Sequence, residues 1–296
     1  MIENITKKAI LIKVTVHQTD FTKIDKKATR EVAIANESDV KMGKYTKNLL
    51  PKEDLIALNS ALNGIFPFVC KHTLPWLDGG WRLLPITKYL EVQDELRKRN
   101  CEIEELKEEL EKRYESLKLK AEEKLGKLYR IEDYIPVEKI QSKFGIDIFY
   151  NPVPKSGDIR VEMDEEELEK LKKSTDENAK RCYELAMKDI RDRMMECLQR
   201  LSERMKVEVT TKYTKKGLKE VQPRLFSSLI ENIRELMQII PDLNIENDSE
   251  IETLRQKIEE EFADLSIEVL REDKDLRKEV AKKADSLLKN LEGLYQ

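Results

Sequence analysis

Glycine and proline are scarce in this chain, at nine each in 296 residues. That excludes a collagen-like or low-complexity protein. It also argues against an all-β sandwich, which needs many Gly/Pro turns. Aromatic residues make up only 6%. No apolar run approaches the roughly 18 residues that a membrane-spanning helix requires, so no membrane partner is expected. The four cysteines, Cys70, Cys101, Cys182 and Cys197, are widely spaced with no Cys-x-x-Cys pair. They exclude a small disulfide scaffold and fit a reduced, cytoplasmic protein. Histidine occurs only as His17 and His72, which rules out a His-rich metal site, and the lack of a Glu-x-x-His motif argues against a di-metal bundle. No cofactor is expected. Met1-Ile2-Glu3-Asn4 lacks the basic start and apolar stretch of a signal peptide.

Charge is abundant. Asp, Glu, Lys and Arg make up 39% of the residues, where a typical globular chain has about a quarter. The 55 cations nearly balance the 59 carboxylates, which argues against a dedicated polyanion binder. A hydrophobic share of 40% is enough for one or two small cores. Together these point to long helices with solvated outer faces.

The pattern along the chain fits that reading. Ile10-Leu11-Ile12-Lys13-Val14-Thr15-Val16 predicts a strand, and residues 23 to 36 a helix. Pro51 opens another helix, followed by Leu55, Leu58 and Leu62 at helical spacing. Residues 64 to 85 crowd Gly, Pro and both tryptophans into what reads as an ordered, buried loop. From 85 to 126 an apolar stripe runs through Tyr89, Val92, Leu96, Ile103, Leu106, Leu110, Tyr114, Leu117, Ala121 and Leu125. From 164 to 206 a second runs through Leu168, Leu171, Thr175, Ala179, Cys182, Ala186, Ile190, Met194, Cys197, Leu201 and Met205. A long amphipathic helix cannot leave its stripe bare, so the two are expected to pair as an antiparallel coiled-coil arm. Between them, 127–163 predicts a short helix ending at Gly145 and a β-hairpin with strands at 146–150 and 158–163, forming the arm's tip. Residues 1–84 and 207–296 would form a helical base. The expected fold is thus mainly α with a small β element.

Few residues suggest chemistry. Cys70 and His72, with Asp78 nearby, allow a Cys-His nucleophile on paper. However, residues two apart seldom bring thiol and imidazole together, and burial of Cys70 beside Phe66 and Phe68 is the plainer reading. Trp76, Asp78, Gly79, Gly80, Trp81 and Arg82 read as a structural turn clamped by two tryptophans. Lys206, Lys212, Tyr213, Lys215, Lys216 and Lys219 form the best nucleic-acid candidate, an ordinary solvated loop being the alternative. The N-terminal lysines add to that candidate. Asn151, Pro152, Pro154 and Lys155, at the expected tip, are candidate contacts for a protein partner. Nothing here identifies a reaction, and a homo-oligomer stays open because swapping the arm between chains keeps every stripe contact.

Three segments carry a family resemblance. They are Thr73-Leu74-Pro75-Trp76 through Gly80-Trp81-Arg82-Leu83-Leu84-Pro85; Phe149-Tyr150-Asn151-Pro152-Val153-Pro154 with Asp158-Ile159-Arg160; and Leu225-Phe226-Ser227-Ser228-Leu229-Ile230-Glu231-Asn232 through Ile240-Pro241-Asp242-Leu243-Asn244-Ile245. In this order they resemble an uncharacterised family of bacteriophages and bacterial genomes, over about residues 50 to 265. The family brings no established catalytic residues. Some members lie near MoxR-like ATPases and von Willebrand-type domains. The resemblance therefore implies a non-catalytic member of a larger assembly, in the host cytoplasm where phage-encoded, with an AAA+ ATPase as a partner. This chain carries no nucleotide-binding motif of its own.

Overall fold

The computed structural model describes residues 2–77, 79–206, 210–214, 217–221 and 225–293. In chain order the elements begin with α1 (Ile2–Lys8), β1 (Ala9–His17), β2 (Thr22–Ile24), α2 (Lys26–Ala35), β3 (Thr46–Asn48), α3 (Ile56–Asn63) and α4 (Ile65–His72). Next come β4 (Leu74–Leu77), β5 (Trp81–Pro85), α5 (Tyr89–Leu125), β6 (Gly145–Asn151) and α6 (Glu165–Met205). The last are β7 (Thr210–Thr214), β8 (Gly217–Val221), α7 (Ser228–Leu243), α8 (Ser249–Phe262), α9 (Ile267–Glu272) and α10 (Lys274–Gly293). The chain is mainly helical with a small antiparallel β component, as its composition implies. It divides into two compact units, one of residues 1–12, 72–88 and 150–296, the other of residues 13–71 and 89–149.

In the first unit, α6 is the central element. It packs on α10, α7, α8 and β4. Its buried positions are Ala179, Cys182, Ala186, Met187, Ile190, Met194, Leu198, Leu201, Ser202 and Met205. All but Ser202 join Ile230, Ile233, Met237, Ile258, Phe262, Leu270 and Leu291 in one apolar core. Polar ties fix the helices around it. Ser202 Oγ bonds Asp285 Oδ1 at 2.6 Å, and Arg191 pairs with Asp248 at 3.2 Å. Asp248 also caps α8, accepting from the backbone N–H groups of Glu250 and Ile251. β4 pairs antiparallel with β5, Leu74 opposite Leu83 and Leu77 opposite Trp81, and β5 lies beside β1.

In the second unit, α5 packs on α3 and on two 3-10 turns at Val137–Lys139 and Gln141–Lys143. Val92, Leu96, Ile103, Leu110, Tyr114, Leu117 and Ala121 are its buried apolar positions. Arg99 Nη1 donates to Gly64 O at 3.3 Å, and its guanidinium lies 4.6 Å from the Phe68 ring centre. Arg113 pairs with Asp54, and Lys124 with Glu53 at 2.9 Å. β2 and β3 pair antiparallel, with Lys23 opposite Lys47, and β6 lies beside β1.

Both long helices form where expected, but what covers them differs from the expected antiparallel arm. The buried part of each stripe is covered within its own unit, α5's by α3 and the turns, α6's from Ala179 onward by α10, α7, α8 and β4. A stripe demands an apolar neighbour without specifying which one. The hairpin tip also differs. β6 forms, but its neighbour is β1, and residues 159–163 adopt no strand. Pro152 and Pro154 lack the N–H groups that a continuing ladder would use, whereas β1 offers a long β-branched edge. The short helix before Gly145 consists of 3-10 turns. Residues 64–85 are a helix and a hairpin rather than a loop. α7 runs to Leu243 with Pro241 inside it.

Candidate binding groove

The hairpin β4–β5 turns on glycine. Gly79 and Gly80 both have φ near +85°, a left-handed conformation costly for any residue with a Cβ. The turn sets Trp81 at the start of β5. Arg82, next in sequence, anchors the strand: its Nε donates to Thr73 Oγ1 at 2.6 Å and its Nη2 to Thr73 O at 3.0 Å. Arg193 Nη2, on α6, donates to the same carbonyl at 2.8 Å and pairs with Asp189 at 2.7 Å. Trp76 is buried in the core, while Trp81 is only partly covered. The two tryptophans therefore do different things: one fills the core, the other faces a groove.

That groove has a volume of about 510 Å³. Its walls are Leu11 from β1, Trp81 from β5, the segment from Asn151 to Lys155 with Asp158 and Ile159, and Leu171 and Thr175 from α6. Val153 is 3% exposed and pins the segment to the core. Its neighbours Asn151, Pro152, Pro154 and Lys155 stay exposed. The backbone N–H of Ser156 reaches Asp176 Oδ1 on α6 at 3.4 Å. Lys155 and Asp158 form an exposed ion pair at 3.7 Å on the rim. The lining is mostly apolar, with a cation, a carboxylate and an amide at the edge.

The structure thus joins two groups of residues kept apart in the sequence reading. The partner-contact candidates Asn151, Pro152, Pro154 and Lys155 share a groove with Trp81 of the glycine turn. Leu11, Ile159 and Leu171 belong to it as well. Leu171 is legible as a stripe residue, but its exposure is not. The nucleic-acid candidates are placed differently. Lys206 is exposed at the end of α6, 3.7 Å from Asp285. Where a solvated loop was the alternative, the backbone forms the hairpin β7–β8, with Lys212 opposite Lys219 and Tyr213 opposite Leu218. Lys215 and Lys216 lie outside the described residues, as does Asp78. Cys70 and His72 both lie on α4, where positions two apart do not face each other. Phe66, expected to bury Cys70, is 51% exposed. Among the described residues, no group of three His, Cys, Asp or Glu side chains could hold a metal ion, and no helix is long and apolar enough to cross a membrane.

A second polar cluster lies in the second unit. Lys47 Nζ is buried between Asp25 Oδ2 at 3.3 Å and Asp133 Oδ2 at 2.7 Å, and donates to Leu128 O at 2.5 Å. Lys23 reaches Asp133 Oδ1 at 2.6 Å. Asp25 caps α2 through the N–H groups of Lys27 and Ala28. The Ala28 N–H, followed in effect by Lys47, holds the Asp25 carboxyl below its usual range. Burial pushes Asp133 up, but hydrogen bonds from Lys23 and Lys47 outweigh it and leave its pKa lowered. Its saturated bonding makes this cluster a strut rather than a reactive site.

Compared with known proteins, the chain matches no protein family, no curated protein and no solved structure.

Proposed function

We propose that this chain is a non-catalytic interaction protein that holds a partner polypeptide against the Trp81 groove. The observation that carries the reading is the convergence of Trp81, Pro152, Pro154 and Leu171 around one open, mostly apolar cavity. Aromatic and proline side chains present rigid apolar area at little entropic cost, as binding surfaces do. Two of the three segments behind the family resemblance, the β4–β5 hairpin and the Asn151–Ile159 segment, line this groove. The resemblance adds a larger, phage-related assembly with an AAA+ ATPase among the candidate partners. The test is a photoreactive benzoyl-phenylalanine at position 154, irradiated in extract of cells that carry the gene. One dominant crosslinked polypeptide is expected, absent when Ile159→Asp fills the groove with charge. Crosslinks as strong from position 120, an exposed lysine on α5, would count against the groove.

A second reading, nucleic-acid contact, draws support from the register of β7–β8, which sets two lysines directly opposite each other. A mobility shift that weakens steeply with salt and is lost in a Lys212→Glu, Lys219→Glu chain is the required result.

A further inference from the structure

The groove opens onto an apolar surface that the chain itself leaves uncovered. The first buried residue of α6 is Ala179, so its opening stretch, Glu165 to Asn178, contributes nothing to the core. The stripe nevertheless begins earlier, at Leu168, Leu171 and Thr175. Leu171 is 41% exposed. The segment leading into the helix behaves in the same way. Ile159, Val161 and Met163 alternate with Arg160, Glu162 and Asp164, the pattern of a half-buried strand, yet no strand forms. Val161 and Met163 are 50% and 45% exposed. Ile159, Leu171 and Thr175 are groove walls, and Val161 and Met163 follow Ile159 by two and four residues along the chain. Two sequence patterns that each call for an apolar cover meet here, and both are only partly covered: Ile159, Leu168 and Thr175 are half-buried while Val161, Met163 and Leu171 are exposed.

Charge indicates what the cover is. From Asp158 to Glu169 there are seven carboxylates against the single cation Arg160. The helix dipole accounts for Glu165, Glu166 and Glu167 in the first turn, but not for Asp158, Glu162 or Glu169. Lys170 pairs with Glu166 and Glu167, and Lys172 with Glu169. Glu162, Asp164 and Glu165 make no ion pair among the described residues. Unpaired carboxylates flanking Val161 and Met163 repel an anionic lipid surface or nucleic acid and attract cations. Methionine beside an acidic rim adapts to varied apolar side chains.

We infer that the occupant of this surface is a basic amphipathic helix of a partner protein, its apolar face on Leu171, Val161, Met163 and the Trp81 groove and its lysines or arginines on Glu162, Asp164 and Glu165. A helix suits the surface because the uncovered part of α6 is itself a helical ridge, about 21 Å long at 1.5 Å per residue. This rests on the reading of the groove as a partner site and names the partner's class.

The test uses three synthetic peptides of about 14 residues, matched to that length. One has leucines at i, i+3, i+4 and i+7 with lysines elsewhere; the second replaces the lysines by glutamates; the third is neutral, extended and proline-rich. A Trp76→Phe chain leaves Trp81 as the only indole, and its emission reports binding; calorimetry on the unaltered chain gives the same reading should that variant fold poorly. The lysine peptide is expected to bind saturably and the glutamate peptide not at all. A chain carrying Glu162→Gln, Asp164→Asn and Glu165→Gln should bind it about tenfold more weakly at low salt, with the gap closing as salt rises. Leu171→Ser should weaken it at every salt concentration. Failure of the lysine peptide to bind, or indifference of its binding to these variants, overturns the inference. Binding of the proline-rich peptide alone overturns it while leaving the groove reading intact. Self-association abolished by Leu171→Ser also overturns it, the occupant then being a second copy.

Discussion

Lys47 shows how one side chain holds a local structure. Its ammonium group is buried between Asp25 and Asp133, and removing it leaves buried Asp25 without its ion-pair partner and Asp133 with Lys23 alone. Lys47→Met should therefore lower the urea midpoint clearly. Lys124→Met should barely move it, because the Lys124–Glu53 pair is exposed on both sides. The pH dependence has a definite sign. Both aspartates have folded pKa values below their unfolded ones, so their stabilisation is full above the ordinary aspartate value and is lost as pH falls through the lowered values. The difference in urea midpoint between the native and Lys47→Met chains should shrink over that acid range and stay constant from there to neutrality. The cysteines give a second prediction. Cys101 is exposed, Cys182 is buried, and burial pushes the Cys197 thiol up to about 11. A chromogenic disulfide at pH 8 should label Cys101 first, while Cys182 and Cys197 react only on unfolding.

At the scale of the element, α6 is two helices in one. From Ala179 onward it is a core helix; before that it carries the same kind of stripe over a surface the chain leaves open. Ile190→Ala should cost about 2–5 kcal/mol, because Ile190 is fully buried and its loss leaves a cavity. Leu171→Ala, five turns earlier on that stripe, should change stability by no more than about 0.5 kcal/mol. Equal losses in urea unfolding would show that the opening stretch is covered after all. The amphipathic period was legible along most of the stripe, because it is a local property of a helix with 3.6 residues per turn, but buried Met187 and Leu198 were not read as part of it. Which third of that stripe would stay open was not, because that depends on where α10, α7 and β4 end.

For the whole molecule, the division into two units makes the tryptophans unequal reporters. Trp76 and Trp81 both lie in the first unit, and the second has none. In the Lys47→Met chain, far-UV circular dichroism should begin to fall at lower urea than tryptophan emission does. Coincident curves would mean that the two units unfold as one. Both units are built from segments distant in sequence: the first draws on the two ends of the chain and a short piece between them. No sequence window contains such a unit, so reading the chain as consecutive blocks of base, arm and tip could not find it.

What the sequence determined by itself is local. It set helices where apolar residues recur every three or four positions, a turn where Gly79 and Gly80 free the backbone, and a strand where β-branched residues cluster in β1. It also located Trp81 and the segment from Asn151 to Lys155 as unusual. The tertiary structure alone decided the pairings. It gave α5 to α3 and α6 to α10, set β6 beside β1 rather than against residues 159–163, and joined Trp81 to Pro152 and Leu171 in one groove. An apolar face lowers its free energy against any dry neighbour of suitable shape, so local pattern defines the demand, and only the competition among all such faces settles which one meets it.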